Sequence, residues 1–184
     1  MPDRPNRRAA IVEAALEVIG ETGPAGFTQP RVAAQAGLRQ SHLTYYYPTR
    51  DDLLVAVAEE AVRRRVALVR AAQDAGGPDE QVAALARLLT APEHTRVLLA
   101  LTQAADRNPA VREAFGALAA GVGPLGAALL TAAGAEPDPA DVALLQATST
   151  GIAVLALARG EDVTGLAEHL LATLVDRLAR KDPS

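Results

Sequence analysis

The sequence predicts an all-α protein of about nine helices: a small N-terminal three-helix domain followed by a larger helical body. Three observations lead there. Hydrophobic residues make up 49% of the 184 and aromatics only 3%, with Ala and Leu dominant, and neither restricts the helical backbone much. Apolar residues recur at helical spacing in nearly every segment, and no run alternates apolar with polar long enough to compete as a strand. Gly and Pro fall at the breaks between these segments rather than within most of them.

The first helix is expected over about 7–20, where Ile11, Ala15 and Ile19 recur at fours with Val12 and Leu16 beside them, making one apolar stripe. Gly20, Gly23, Pro24 and Gly26 end it. Thr28 reads as an N-cap with Pro30 in the first turn, where a missing N–H costs little. That short helix closes at Gly37, a residue suited to a left-handed backbone. Another short helix runs over about 39–46 and Pro48 stops it. Thr49 caps a long helix over about 50–75, whose first turn holds Asp51 and Asp52, favourable to the helix dipole. After Gly76-Gly77-Pro78, further helices are expected over about 79–90, 93–106, 110–133, 139–159 and 163–181. The expected division is 1–50 and 51–184.

Composition narrows the function. The absence of cysteine excludes disulfides, thiol nucleophiles and thiolate metal sites. The N-terminal MPDRPNRR has charge but no apolar signal core, which points to the cytoplasm. The longest apolar stretch, Val142–Ala158, is interrupted by Gln146, Thr148, Ser149 and Thr150. It falls short of the ~20 apolar residues of a membrane span, so a buried helix and no membrane are expected. Residues 1–70 hold 10 Arg against 8 Asp/Glu, a balance of +2; the remaining 8 Lys/Arg and 14 Asp/Glu give −6, and the two recover the net −4. A basic end on an acidic body fits a small nucleic-acid-binding head.

The informative stretch is Thr28–Leu54, TQPRVAAQAGLRQSHLTYYYPTRDDLL. Two short helices joined by a Gly-centred turn are the arrangement of a helix-turn-helix. Val32, Ala33, Ala36, Leu38, Leu43 and Tyr47 are placed to face inward onto Ile11, Leu16 and Ile19. Arg39, Gln40, Ser41, His42, Thr44, Tyr45 and Tyr46 are left outward. A major groove admits a helix whose Arg, Gln, Ser and His meet base edges, and phenolic hydroxyls reach phosphate oxygens.

This segment resembles the DNA-binding region of the TetR (tetracycline repressor) family. Thr28, Val32, Ala33, Ala36, Gly37, Leu38, Leu43, Tyr46, Tyr47, Pro48, Thr49, Arg50, Asp52 and Leu53 match that pattern or replace like with like. The motif covers about 7–54; beyond it, helix number and length carry the likeness. Three positions depart. Thr44 stands where the family usually has Tyr, which weakens a phosphate contact there or shifts it to Tyr45. Pro30 occupies a position that often presents a polar side chain, passing that readout to Gln29 or Arg31. Arg50 replaces the usual Lys and can meet the backbone in bidentate fashion. The resemblance assigns Arg39, Gln40, Ser41 and His42 to base reading with Gln29 and Arg31 as helpers, and Tyr45, Tyr46 and Arg50 to phosphates.

The resemblance also implies a homodimer on double-stranded DNA, with half-sites roughly 34–36 Å apart or a similar multiple of the helical turn, and repression relieved by a small-molecule effector. The last two helices are the expected dimer surface, through Leu145, Ser149, Ile152 and Ala156 on one and Leu166, Leu170, Thr173 and Leu174 on the other. Polar side chains in otherwise apolar helices, Thr102, Gln103, Gln146 and Thr150, are the effector candidates. An activator, or a repressor needing no ligand, fits the same sequence.

Other features carry less. Gly121-Val-Gly123-Pro-Leu-Gly126 matches a dinucleotide glycine pattern in form, but helix precedes it where a strand is required and Pro124 removes an amide; a bent or broken helix is expected. His42, His94 and His169 are remote from one another, so no metal and no cofactor are expected. Arg63–Arg65 are expected to be solvated and to face Glu59 and Glu60. No nucleophile–base pair suggests an enzyme. A helical protein-interaction module without specific DNA binding is the rival reading.

Overall fold

The computed structural model describes residues 4–181, and all their regular elements are helical. The order is α1 (Arg4–Thr22), a 3₁₀ turn (Pro24–Gly26), α2 (Gln29–Gln35), α3 (Gln40–Tyr46) and α4 (Arg50–Gln73), then α5 (Pro78–Thr90), α6 (Pro92–Ala105), α7 (Pro109–Ala132), α8 (Pro139–Arg159) and α9 (Thr164–Ala179). Helix number and order agree with the sequence expectation.

The boundaries are set by local chemistry. Thr28 caps α2, its hydroxyl accepting from the amide of Arg31, and Pro30 sits in the first turn. Gly37 turns the chain out at φ +67°. Before α4, the Thr49 hydroxyl accepts from the Asp52 amide while the Asp52 carboxylate accepts from the Thr49 amide and hydroxyl. That reciprocal capping satisfies donors the helix cannot. The Thr49 hydrogen bonds hold the Asp52 carboxyl below its ordinary value. Asp138 and Asp141 cap α8 in the same reciprocal way, and Gly160 ends it at φ +67°.

α7 is not broken at Pro124 but continues as helix for eight more residues, over nearly the range 110–133 expected for it. The ring removes one N–H and leaves the carbonyl of Ala120 without its usual partner, yet helix continues on both sides. Gly121 in this stretch has a packing role: a Cβ there would lie 2.6 Å from Val66 Cγ2 of α4. Four residues on, the Gln73 side-chain amide donates to the carbonyl of Leu125 at 2.5 Å.

The chain divides into two compact units, Met1–Arg64 with Arg96–Ala117 and Arg65–Thr95 with Leu118–Ser184. The first is built on Ile11, Ala15, Ile19, Val32, Leu43, Leu53, Val57 and Val111, all essentially inaccessible. The second is built on Val82, Ala86, Leu89, Leu130, Leu145, Ile152, Leu171 and Val175. α8 was expected to be a buried helix; instead Leu144 is 48% and Leu155 56% exposed. By length and composition alone α7 and α8 could each cross a bilayer.

Candidate nucleic-acid interface

α3 is seven residues long and buries one side chain, Leu43. Because successive residues step 100° around the axis, fixing Leu43 inward turns Ser41, His42 and Tyr45 away from the core; Gln40 in the first turn and Arg39, the extended N-cap, are exposed with them at the start of the helix. Thr44 and Tyr46 flank this face half-buried, and the Thr44 hydroxyl donates to the carbonyl of Ser41. Tyr45 is 63% exposed and meets Tyr46 edge-on, with ring centres 5.2 Å apart.

α2 and its turn support this helix. Val32 and Ala33 are buried, with Ala36 and Leu38 packed partly against the same core. Gln29, expected as a reading helper, is half-buried and donates its side-chain amide to the carbonyl of Tyr47 at 3.1 Å. That bond ties the start of α2 to the residue after α3. Arg31 is exposed beside it. Arg50, at the start of α4, is exposed but held: its Nε donates to the carbonyl of Phe27, and the guanidinium lies 5.0 Å from the Phe27 ring centre.

Sequence reasoning missed Arg8. Its Nη2 donates to the carbonyl of Tyr46 at 3.2 Å, and its guanidinium lies over the Tyr47 ring, 5.4 Å from the centre. A Tyr at a helix end and an Arg one helix away give no pattern in sequence, so only the fold reveals the pair. Burial pushes the Tyr47 phenol up, and the Arg8 charge acts in the opposite direction.

The Arg63–Arg65 run divides three ways. Arg63 pairs with Glu60, and Arg64 bridges Glu60 and Glu13, tying α4 to α1. Hydrogen bonds from Arg64 and from Arg63 hold the carboxyls of Glu13 and Glu60, respectively, below their ordinary values. Arg65 was expected on a solvated face; it is half-buried, and that burial lowers its pKa. His94 is also half-buried and pushed down by desolvation. Among the described residues no His, Asp and Glu gather closely enough to hold a metal ion.

The four effector candidates differ. Thr102 and Thr150 are exposed, and their hydroxyls donate to the carbonyls of Leu98 and Gln146 one turn back. Gln103 is exposed. Gln146 is half-buried, its amide nitrogen 3.7 Å from where a Cβ on Gly123 would lie.

The residues expected at a dimer surface also need sorting. Leu145, Ile152 and Ala156 are buried within their own unit, so they cannot present themselves to a second copy. The helix is turned by about one residue from the expected phase, and its exposed stripe is Leu144, Ala147, Gly151 and Leu155. Ser149 is half-buried. On α9, Leu166 and Leu170 are exposed as expected, with Thr173 and Leu174 half-buried beside them. Lys181, next to the end of α9, pairs with Asp138 and Asp141 at the start of α8 and holds the Asp138 carboxyl down.

Residues 11–57 match the model of bacterial regulatory proteins of the tetR family, and residues 76–180 match that of a tetracyclin repressor-like C-terminal domain. The chain is similar to the HTH-type transcriptional regulator BetI of Rhizobium meliloti, 34% identical over 114 residues, which are 59% of this chain and 56% of that protein. The match thus spans little more than half of that relative's length. Among solved structures, the multidrug binding protein EbrR in complex with ethidium is 32% identical with a TM-score of 0.69, covering 94% of this chain and 99% of that one. A TetR-family member from Streptomyces coelicolor A3 is 33% identical with a TM-score of 0.68, covering 91% and 97%.

Proposed function

Since the chain belongs to the TetR family, and is therefore a transcriptional regulator with a helix-turn-helix DNA-binding domain and not an enzyme, we propose that it is a homodimeric repressor that leaves a near-palindromic operator when a small molecule binds. Residues 1–50 act as the DNA-binding head and 51–184 as the regulatory and dimerisation part, in the cytoplasm. The observation that carries the reading is the outward face of α3. Arg39, Gln40, Ser41 and His42 stand exposed on a helix that Leu43 holds in one rotation. Such side chains supply the donors and acceptors that base edges match, while Arg31, Tyr45, Tyr46 and Arg50 lie around them for the backbone.

The exposed apolar stripe on α8, with Leu166 and Leu170 on α9, supports a second copy as the partner. Four leucines at 41–56% exposure on adjacent helices are what a self-complementary two-fold interface covers. The small residues Ala147 and Gly151 between Leu144 and Leu155 allow close helix approach. Ser149, Thr173 and Leu174 form the margin. For effector contact, Gln146 is the strongest of the four, because the hydroxyls of Thr102 and Thr150 are already used on their own helices. Release needs only that the effector bind one of two shapes better. The similarity to a protein described as multidrug binding supports a small-molecule partner.

The test is selection of genomic fragments on the purified protein at two salt concentrations, with sequencing of the retained pool. The account predicts a palindromic consensus whose affinity falls steeply with salt. Retention without a consensus at either salt would overturn it in favour of a protein-interaction module.

A further inference from the structure

We infer that Arg8 is a positioning residue for base reading, its guanidinium fixing the C-terminal end of α3 and thereby the angle at which Arg39, Gln40, Ser41 and His42 are presented. This rests on the DNA-reading role proposed above.

α3 is small. A two-turn helix held by one buried side chain, Leu43, is fixed in place but can pivot about that point unless its ends are tied. The last carbonyls of a helix have no intrahelical partner and carry a partial negative charge. Arg8 meets that end: its Nη2 donates to the carbonyl of Tyr46, the final residue of α3. Its face covers the ring of Tyr47, the next residue, which is buried. One guanidinium therefore grips two consecutive residues by two different interactions, a charge-assisted hydrogen bond and a cation–π contact. Gln29 holds the Tyr47 carbonyl from α2, so the end of α3 is tied to both preceding helices. Arg8 forms no ion pair among the described residues, which leaves its charge committed to this junction.

The chain carries its own probe for this point. Its three tyrosines are Tyr45, Tyr46 and Tyr47, and it has no tryptophan, so tyrosine emission reports on the end of α3 alone.

The experiment compares the full-length wild type with Arg8→Ala and Arg8→Lys, at a temperature where circular dichroism shows all three folded. The probes are the duplex that the wild type selects and a random duplex of equal length. Arg8→Ala is expected to weaken the selected duplex about tenfold, or about 1.4 kcal/mol, with random-duplex binding and the salt slope unchanged. Arg8→Lys, which keeps a charged donor, recovers most of that loss, and acrylamide quenching of the tyrosines rises in Arg8→Ala. A salt slope lower by about one would overturn the inference, because it marks a direct phosphate contact. Unchanged affinity in a folded Arg8→Ala would also overturn it, leaving only a structural role. If the wild type selects no duplex, the DNA-reading role fails first. Quenching then tests the junction separately, and quenching unchanged in Arg8→Ala refutes the grip on α3.

Discussion

Truncating Leu43 to Ala separates what holds α3 from what α3 presents. Leu43 is wholly inaccessible and is the one buried residue of its helix. Removing three buried carbons costs about 2.4 kcal/mol in transfer free energy at about 0.8 kcal/mol each. Ile11, Ile19, Val32 and Leu53 of the same core are equally buried and belong to other helices, so the site collapses little and a cavity term brings the loss to about 3 kcal/mol. That is a large share of the stability of a small domain. Urea unfolding followed by circular dichroism and tyrosine emission measures it. Leu43→Met, which conserves volume, should cost under about 1.5 kcal/mol. Gln40→Ala, at an exposed position in the first turn of the same helix, should change stability by less than about 0.5 kcal/mol while weakening selected DNA. Leu43→Ala losing under 1 kcal/mol, or Gln40→Ala losing as much as Leu43→Ala, would refute the assignment of inner and outer faces.

Leu155→Glu combined with Leu170→Glu should give a monomer in light scattering, whereas a dimer persisting in the double variant would place the interface elsewhere. Gly121→Ala should destabilise the protein, because the new methyl group would meet Val66 Cγ2 at 2.6 Å, and Val66→Ala in the same chain should recover most of the loss in thermal unfolding. Glu13 and Glu60 have lowered folded-state pKa values, so their pairing with Arg63 and Arg64 stabilises the fold fully above the unfolded value of about 4.3. That contribution is lost as pH falls through the lower folded values. Unfolding curves between pH 7 and 3 should therefore steepen their decline below about 4.3, and Arg64→Gln should flatten it.

Helix number, order and caps were legible because each depends on a residue and its immediate neighbours. Thr28, Gly37 and Thr49 act through hydrogen bonds or φ values within a turn of their own position. The exposed face of α3 was legible for a similar reason: one Leu among polar residues fixes the rotation of a seven-residue helix. α8 was not, because Leu144 and Leu145 are both apolar, and Leu145 is the one that joins the core with Leu130 of α7 and Leu171 and Val175 of α9. Arg65 escaped for the same reason: nothing beside it in sequence separates it from Arg63 and Arg64, which pair with Glu60. Pro124 shows the limit of a punctuation rule, since one missing N–H does not outweigh the helix on either side of it.

The central claim is that the exposed face of α3 reads bases. Its most direct test is a repeat of the DNA selection with Arg39→Ala, Gln40→Ala and His42→Ala, each sequenced beside the wild type. The account predicts that each variant loses preference at particular base pairs, placed symmetrically in the two half-sites, at about 1–3 kcal/mol of discrimination per contact. Variants that weaken binding equally on every sequence, with the consensus intact, would contradict it and reduce α3 to a backbone contact.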